Sequence, residues 1–154
     1  MPRPLNSLNP AMEQIRAIYA EIDQRPTNRD CQLRTECCQF HITGQIPQVT
    51  RGEAYLLAQG LRAAGRTRLP DSETGDCPLL HPRTGKCLLY ALRPFGCRTH
   101  FCEPAGGPYK RAEVIELIRK IDKIDKALGG DGPHDLLSAL KIALQESLVK
   151  NKRS

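Results

Sequence analysis

The chain of 154 residues lacks tryptophan, and only 5% of its residues are aromatic. It also lacks an apolar run long enough to cross a bilayer, so we expect no membrane segment. The first ten residues, MPRPLNSLNP, have no apolar core and no cleavage pattern, which predicts that there is no signal peptide. We therefore expect a cytoplasmic protein with few large side chains for its core.

Several functional motifs are also missing. The sequence has no glycine-rich dinucleotide fingerprint, no phosphate loop and no visible Ser-His-Asp arrangement. These absences weaken the hypothesis that the protein is an enzyme of one of the common classes. The net charge is +6, but the basic residues are scattered and are not interleaved with aromatic residues, as single-strand binders require. A solvated basic surface is the simpler interpretation, and nucleic-acid binding is not favoured.

Cysteine, by contrast, is abundant and is clustered in two groups. One group lies in CQLRTECCQFH and the other in CPLLHPRTGKCLLYALRPFGCRTHFC. Thiols stay reduced in the cytosol, where such clusters usually indicate metal or redox chemistry, and an odd cysteine count disfavours a disulfide framework. The candidate metal ligands are Cys38, Cys77, Cys87, Cys97, Cys31, Cys37 and Cys102.

The ligand types indicate zinc or an iron–sulfur cluster, since both select thiolates. Seven thiols exceed the four ligands of one site, whereas two sites made only of cysteine need eight. One site with spare thiols and two sites completed by histidine, with His100 as the best candidate, both remain open. Adjacent Cys37 and Cys38 face opposite ways in extended backbone, so we expect only one of them to face a given ion.

Spacing favours zinc as the cofactor, with an iron–sulfur cluster or iron as the second choice. The C-x₉-C-x₉-C pattern formed by Cys77, Cys87 and Cys97 lacks the compact C-x₂-C-x₂-C run of many cluster proteins. The accompanying histidines offer mixed ligation, which zinc accepts.

Helical patterns flank this cysteine-rich centre. Apolar residues recur at three and four positions and predict an N-terminal helix within residues 1–30; they are Ile15, Ile18 and Ile22. Pro10 suits the first turn of this helix, and Pro26 ends it. Thr50 and Glu53 form a capping-box pattern, which predicts the start of a second helix.

Residues 31–105 are predicted to form the metal-binding core. Twelve prolines and twelve glycines in the chain indicate that much of this region is loop. A turn signal at Thr84-Gly85 between Cys77 and Cys87 predicts a short β-hairpin with a thiol at the base of each arm. In a centre with little apolar packing, a bound metal is expected to stabilise the fold.

Residues 108–150 are predicted to form a helical hairpin. The first helix has an apolar stripe made of Val114, Leu117, Ile118, Ile121, Ile124 and Leu128. Gly129 and Gly130 end it, and a second amphipathic helix follows after Pro133. We expect these helices to act as scaffold or to bind a protein partner. The fold class is thus mainly α, a small metal-stabilised single domain over residues 1–154.

The ordered motifs resemble the YkgJ-type cysteine cluster proteins, also called the CxxCxxCC family of zinc- or iron-chelating proteins. The segments that carry the resemblance are Cys31 with Cys37-Cys38, CPLL at 77–80, GKCLLY at 85–90 and RPFGCR at 93–98. Val49, Thr50 and Glu53 also match the helix start between the two groups. The chain departs from the family pattern at Arg34, where a second cysteine is expected.

The resemblance implies a small metal-binding protein, and the strongest motif elements contain Cys38, Cys77, Cys87 and Cys97. Two alternatives stay open: an iron–sulfur redox enzyme or electron carrier, and an accessory protein that delivers metal. Arg93 and Arg98 flank Cys97. They could activate the thiol or bind an anion, but we expect them to hydrogen-bond loop carbonyls, because no acidic or nucleophilic group accompanies them.

Overall fold

The computed structural model describes residues 5–25, 47–65, 79, 88–99 and 109–152. These residues form the helices α1 (Leu5–Gln24), α2 (Arg51–Ala63), α3 (Phe95–Thr99), α4 (Arg111–Ala127) and α5 (Leu136–Lys152), the strands β1 (Gln48–Val49) and β2 (His134–Asp135), and a 3₁₀ turn at Tyr90–Leu92. The prediction of a mainly α fold is confirmed, and the described residues include one short antiparallel strand pair, formed by β1 and β2.

Helix α2 lies at the centre of the fold and contacts α1, α4 and α5. Seven consecutive residues of this helix, from Gly52 to Ala58, are buried, so neighbouring elements cover all sides of its first two turns. Leu56, Leu57 and Leu61 are each 0% exposed. Burying a leucine side chain stabilises a fold by roughly 1.5–3 kcal/mol, so these three residues contribute a large part of the core.

Helix α1 carries the predicted apolar stripe but begins earlier than expected. Ile15, Ile18 and Ile22 are buried, and the helix ends at Gln24, before Pro26. The helix starts at Leu5, so Pro10 lies inside it and not in its first turn. Proline fixes a helical φ, and because it has no backbone N–H the helix lacks one hydrogen bond at this position.

Helix α4 begins at Arg111 and buries the predicted stripe against α1 and α2, with Ile118 only partly covered. Gly129 follows it with a φ of +80°, a conformation that glycine adopts without strain. Helix α5 packs chiefly against α2. The two C-terminal helices predicted by periodicity are therefore present, while the main contact of α5 is with the central helix and not with its neighbour in the chain.

The two strands come from distant parts of the chain. Gln48 pairs with Asp135 and Val49 with His134 in antiparallel register, and the Leu136 N–H donates to the carbonyl of Pro47 at 3.0 Å. The pairing brings the start of α5 beside the start of α2. The hairpin predicted around Thr84-Gly85 lies outside the described residues, apart from Leu79 and residues 88–90.

A buried carboxylate fixes the loop after α4 to the start of α2. Asp125 is 1% exposed and accepts hydrogen bonds from the N–H of Arg51 at 2.8 Å and of Gly132 at 2.9 Å. A side chain at Gly130 would collide with it, since a Cβ there would lie 2.3 Å from a carboxylate oxygen. Asp125 therefore supplies an N-terminal hydrogen bond to α2 from another part of the chain.

None of the helices in the described part of the chain has the length and apolar character needed to cross a membrane. On α5, Ile142 is 52% exposed, which is unusual for a large apolar side chain in this fold. The expected protein partner, the single-domain organisation over 1–154 and the stabilising metal stay predictions.

Candidate metal centre

Of the seven candidate ligands, the structure describes Cys97, which lies half-buried on α3. The other six lie outside the described residues; they are Cys31, Cys37, Cys38, Cys77, Cys87 and Cys102. His41, His81 and His100 also lie outside them. Within the described ranges, no three His, Cys, Asp or Glu side chains cluster closely enough to hold a metal. The structure therefore gives the surroundings of one ligand in detail.

Helix α3 is only five residues long, FGCRT. It follows Pro94, whose side chain is fully buried and whose carbonyl accepts hydrogen bonds from Cys97 N–H at 2.9 Å and Arg98 N–H at 3.1 Å. A helix of this length is not stable on its own, because helix nucleation is unfavourable. Contacts with other elements must therefore hold Cys97 in place.

The first of these contacts is at the N-terminus of α3. The Phe95 N–H donates to Oε2 of Glu53 at 2.7 Å, and Glu53 is 3% exposed. The same oxygen accepts a hydrogen bond from the Tyr19 hydroxyl at 2.7 Å. A carboxylate suits this position because the first N–H groups of a helix are unpaired and carry partial positive charge. Glu53 thereby joins α3 to both α1 and α2.

The second contact is the side chain of Arg98, which is 6% exposed. Its Nε donates to the carbonyl of Arg93 at 2.7 Å, and its two terminal nitrogens bind the Ala91 carbonyl and the Asp23 carboxylate. Arg98 thus fixes the chain before α3 and links it to α1. The expectation that the arginines beside Cys97 bind loop carbonyls is confirmed for Arg98, and Arg93 makes a long contact of 3.5 Å with the Cys97 carbonyl.

Electrostatics tie these groups together. Burial, reinforced by the negative charge and hydrogen bond of Glu53, raises the pKa of Tyr19 well above its ordinary value. The positive charge of Arg98 opposes that rise in pKa, while a negative charge on the Cys97 thiolate adds to it. Burial also lowers the pKa of Arg98, against the opposing effect of Asp23. Cys97 therefore lies close enough to interact electrostatically with the buried group formed by Tyr19, Glu53 and Arg98.

The neighbours of two further cysteines are described. Leu79 follows Cys77 by two residues, and Leu88 follows Cys87 directly. The Leu88 N–H donates to the Leu79 carbonyl at 2.7 Å, and Leu79 is 2% exposed. This bond joins the chain two residues after Cys77 to the chain directly after Cys87.

The turn that follows packs closely on α2. A Cβ at Gly60 would lie 2.5 Å from Leu92 and 3.3 Å from Leu89, so the absence of a side chain there permits this approach. The segment carrying Leu88 and Leu89 is thus fixed to the same helix that contributes Glu53. The segments next to Cys87 and Cys97 therefore both contact α2.

Sequence reasoning missed the network behind Cys97. Tyr19 and Asp23 lie on the N-terminal helix, where only the isoleucine stripe was singled out. Glu53 was identified as a capping residue, and that prediction is confirmed, since it accepts from the Thr50 N–H at 3.3 Å. Its contacts with Tyr19 and Phe95 span 34 and 42 residues and have no local sequence signal.

A cleft of about 220 Å³ lies elsewhere, between α2, α5 and the loop after α4. Its rim includes Arg51, which binds the Glu146 carboxylate at 3.2 Å, and the pair formed by His134 and Asp131. These charged groups pair with one another. Among the described residues that line the cleft there is no cysteine, so Cys97 is not part of it.

Comparison with known proteins supports the resemblance seen in the sequence. A family model described as "CxxCxxCC: Putative zinc- or iron-chelating domain" matches residues 29–122, which is more than half of the chain. The match includes all seven cysteines and the helix α2 between the two groups. No solved structure matches this chain.

Proposed function

Since this chain belongs to the CxxCxxCC family, we propose that it is a small cytoplasmic metal-binding protein with one cysteine-rich site. Cys38, Cys77, Cys87 and Cys97 are proposed as the main ligands, with Cys31, Cys37 and Cys102 in supporting positions. The metal, when bound, organises the segment between α2 and α4.

The observation that carries this proposal is the way Cys97 is held. Glu53 binds the first N–H of the five-residue helix α3, and the side chain of Arg98, in its last turn, binds the chain that precedes it. Cys97 lies between Phe95 and Arg98 in the sequence. Metal sites need ligands within a few tenths of an ångström of their required positions, so a ligand on a short helix needs such support. The donor type also fits, because a thiolate is a ligand for zinc and for iron–sulfur clusters alike.

A second observation supports the contribution of Cys77 and Cys87. The hydrogen bond between Leu88 and Leu79 joins the two chain segments that follow these cysteines. Both segments pack on the apolar core, since Leu79 and Leu89 are buried. We propose that the thiolates of Cys77 and Cys87 lie close together and supply two of the four ligands of a tetrahedral zinc site.

Zinc is the metal that we propose first. It has no redox chemistry, and a site with four protein ligands is structural. The wide spacing of the second cysteine group and the arginine at position 34 both disfavour a compact iron–sulfur motif.

The deciding experiment is elemental analysis of the full chain purified without oxygen, together with its visible spectrum. We expect one equivalent of zinc and a colourless protein. Stoichiometric iron with acid-labile sulfide and a visible absorption that bleaches on reduction would overturn the choice of zinc. In that case an electron-transfer role becomes the leading hypothesis. A chain with neither metal, which also fails to bind added zinc or iron, would contradict the metal-binding function itself.

A further inference from the structure

We propose that Glu53 is a positioning residue for the metal ligand Cys97. Its carboxylate fixes the first N–H group of the short helix that carries the thiol, and it does so from the central helix α2. This inference rests on the proposed metal-binding function and names a residue outside the cysteine set on which the geometry of the site depends.

The carboxylate of Glu53 accepts four hydrogen bonds. Oε1 accepts from the N–H and the hydroxyl of Thr50 at 3.3 and 3.0 Å, and Oε2 accepts from the Tyr19 hydroxyl and the Phe95 N–H at 2.7 Å each. A buried carboxylate is costly unless such bonds compensate it. Every acceptor position is used, so the orientation of the side chain is fixed.

Capping alone does not require this arrangement. A glutamate in the first turn of a helix needs only to reach back to the N-cap, which the Thr50 N–H satisfies. Glu53 is nevertheless 3% exposed, and its second oxygen faces α1 and α3. A buried charged group is weak evidence for added stability, because apolar replacements of similar volume are often as stable. We therefore infer that the two hydrogen bonds accepted by the second oxygen serve to place α3 and not to add stability.

The position of Phe95 makes that placement relevant to the metal. Phe95 is the first residue of α3 and lies two residues before Cys97. Without the bond to Glu53, the Phe95 N–H has no partner at the start of a helix that is too short to persist unaided. The thiolate of Cys97 then loses its fixed direction, and a tetrahedral site, which needs a metal–sulfur distance of about 2.3 Å, forms less readily.

The test uses the full chain with three variants. Glu53→Gln keeps the shape of the side chain but removes its charge and places an amide N–H₂ against a donor. Tyr19→Phe removes one hydrogen bond to the same carboxylate and keeps the ring. Glu146→Gln is the matched control, because Glu146 belongs to an ion pair with Arg51 away from α3. Zinc affinity is measured by chelator competition, and Co²⁺ is bound in place of zinc to report ligand geometry by its visible spectrum.

We expect Glu53→Gln to lower zinc affinity by about 10- to 100-fold, the range found when groups that orient metal ligands are removed. Its Co²⁺ bands should shift or weaken, since they depend on the geometry of the thiolate ligands. Tyr19→Phe should produce a smaller change in the same direction, and Glu146→Gln should match the wild type. A residue that only stabilised the fold would change the unfolding midpoint and leave the Co²⁺ spectrum unaltered.

The possible failures are distinct. If the wild-type chain binds neither zinc nor Co²⁺, the metal-binding function fails. If the wild type binds both ions and Glu53→Gln retains the same affinity and Co²⁺ spectrum, only the positioning role is overturned. If Glu53→Gln does not fold, Tyr19→Phe decides: an unchanged zinc affinity and Co²⁺ spectrum in that variant overturn the role, and a shifted spectrum supports it.

Discussion

The guanidinium of Arg98 lies 4.2 Å from the centre of the Tyr19 ring, so the arginine behind Cys97 stacks on helix α1. Cation–π contacts of this kind strengthen when the charge is removed from water, as it is here. The same side chain binds two backbone carbonyls and the carboxylate of Asp23. One residue beside the candidate ligand thus connects the metal-binding segment with the N-terminal helix.

Replacing Arg98 with alanine should destabilise the metal-free protein by about 2–4 kcal/mol, because the hydrogen bonds of its buried guanidinium with the carbonyls of Ala91 and Arg93 and with the Asp23 carboxylate are lost. Urea unfolding followed by circular dichroism measures this change. Arg16→Ala is the control: Arg16 is exposed and makes a weak 3.4 Å contact with Gln59, so its loss should cost less than about 0.5 kcal/mol. Equal stabilities of the two variants would contradict the role assigned to Arg98.

Single replacement of Cys38, Cys77, Cys87 or Cys97 by serine should weaken metal binding by more than about tenfold, since each change removes a thiolate ligand. Bound metal is measured by elemental analysis after dialysis against a chelator. Thr99→Ala serves as the control for Cys97, because it changes the same helix and removes no thiol. Full metal content in all four serine variants would show that the ligands are other residues.

Removal of the metal should loosen residues 70–105 first and leave the C-terminal helices α4 and α5 largely intact. The reason is that binding free energy becomes folding free energy where the site does not exist in the unfolded chain. Hydrogen exchange of the metal-free and metal-loaded protein tests this, with the Cys97 amide as a local reporter. Equal protection of the segment in both states would argue against a structural metal.

The exposed pair of His134 and Asp131, with 2.6 Å between Nε2 and Oδ1, should give a small pH dependence of stability. Its hydrogen bond and charge raise the pKa of His134 above 6.5 and lower the pKa of Asp131 below 3.8. The stabilising effect is lost as pH rises through the raised pKa of His134, and also as pH falls through the lowered pKa of Asp131. In an NMR titration, Asp131→Asn should return the pKa of His134 towards 6.5. An unchanged pKa in that variant would exclude the pair as its cause.

Much of the helical framework could be predicted from the sequence, because it rests on local patterns. The stripe from Val114 to Leu128 faces the core as its periodicity predicts, and the capping box at Thr50 and Glu53 starts α2. The start of α1 at Leu5 was missed, since a proline near a helix start is compatible with either the first turn or the interior.

The long-range contacts could not be predicted in the same way. Strands of two residues, such as Gln48–Val49, are too short to show a period, and their pairing with His134–Asp135 depends on the tertiary fold. Likewise, a short connection between α4 and α5 suggests that they pack together, yet this pairing draws the start of α5 to α2. The partners of Glu53 were hidden for the same reason. In the candidate site, the motifs predict which thiols bind metal, while the contacts behind Cys97 depend on three helices, α1, α2 and α3, that pack together in the folded chain.

The antiparallel strand pair also has a consequence for chain connectivity. The described residues before position 66 and those from position 88 onwards are held together by the strand pair, by the bond from Phe95 to Glu53 and by the bond from Arg51 to Asp125. All of these contacts are non-covalent and do not depend on the covalent connection between the two parts. If the chain is cut between them, each fragment keeps its side of every contact, and we expect the two fragments to reassemble by fragment complementation.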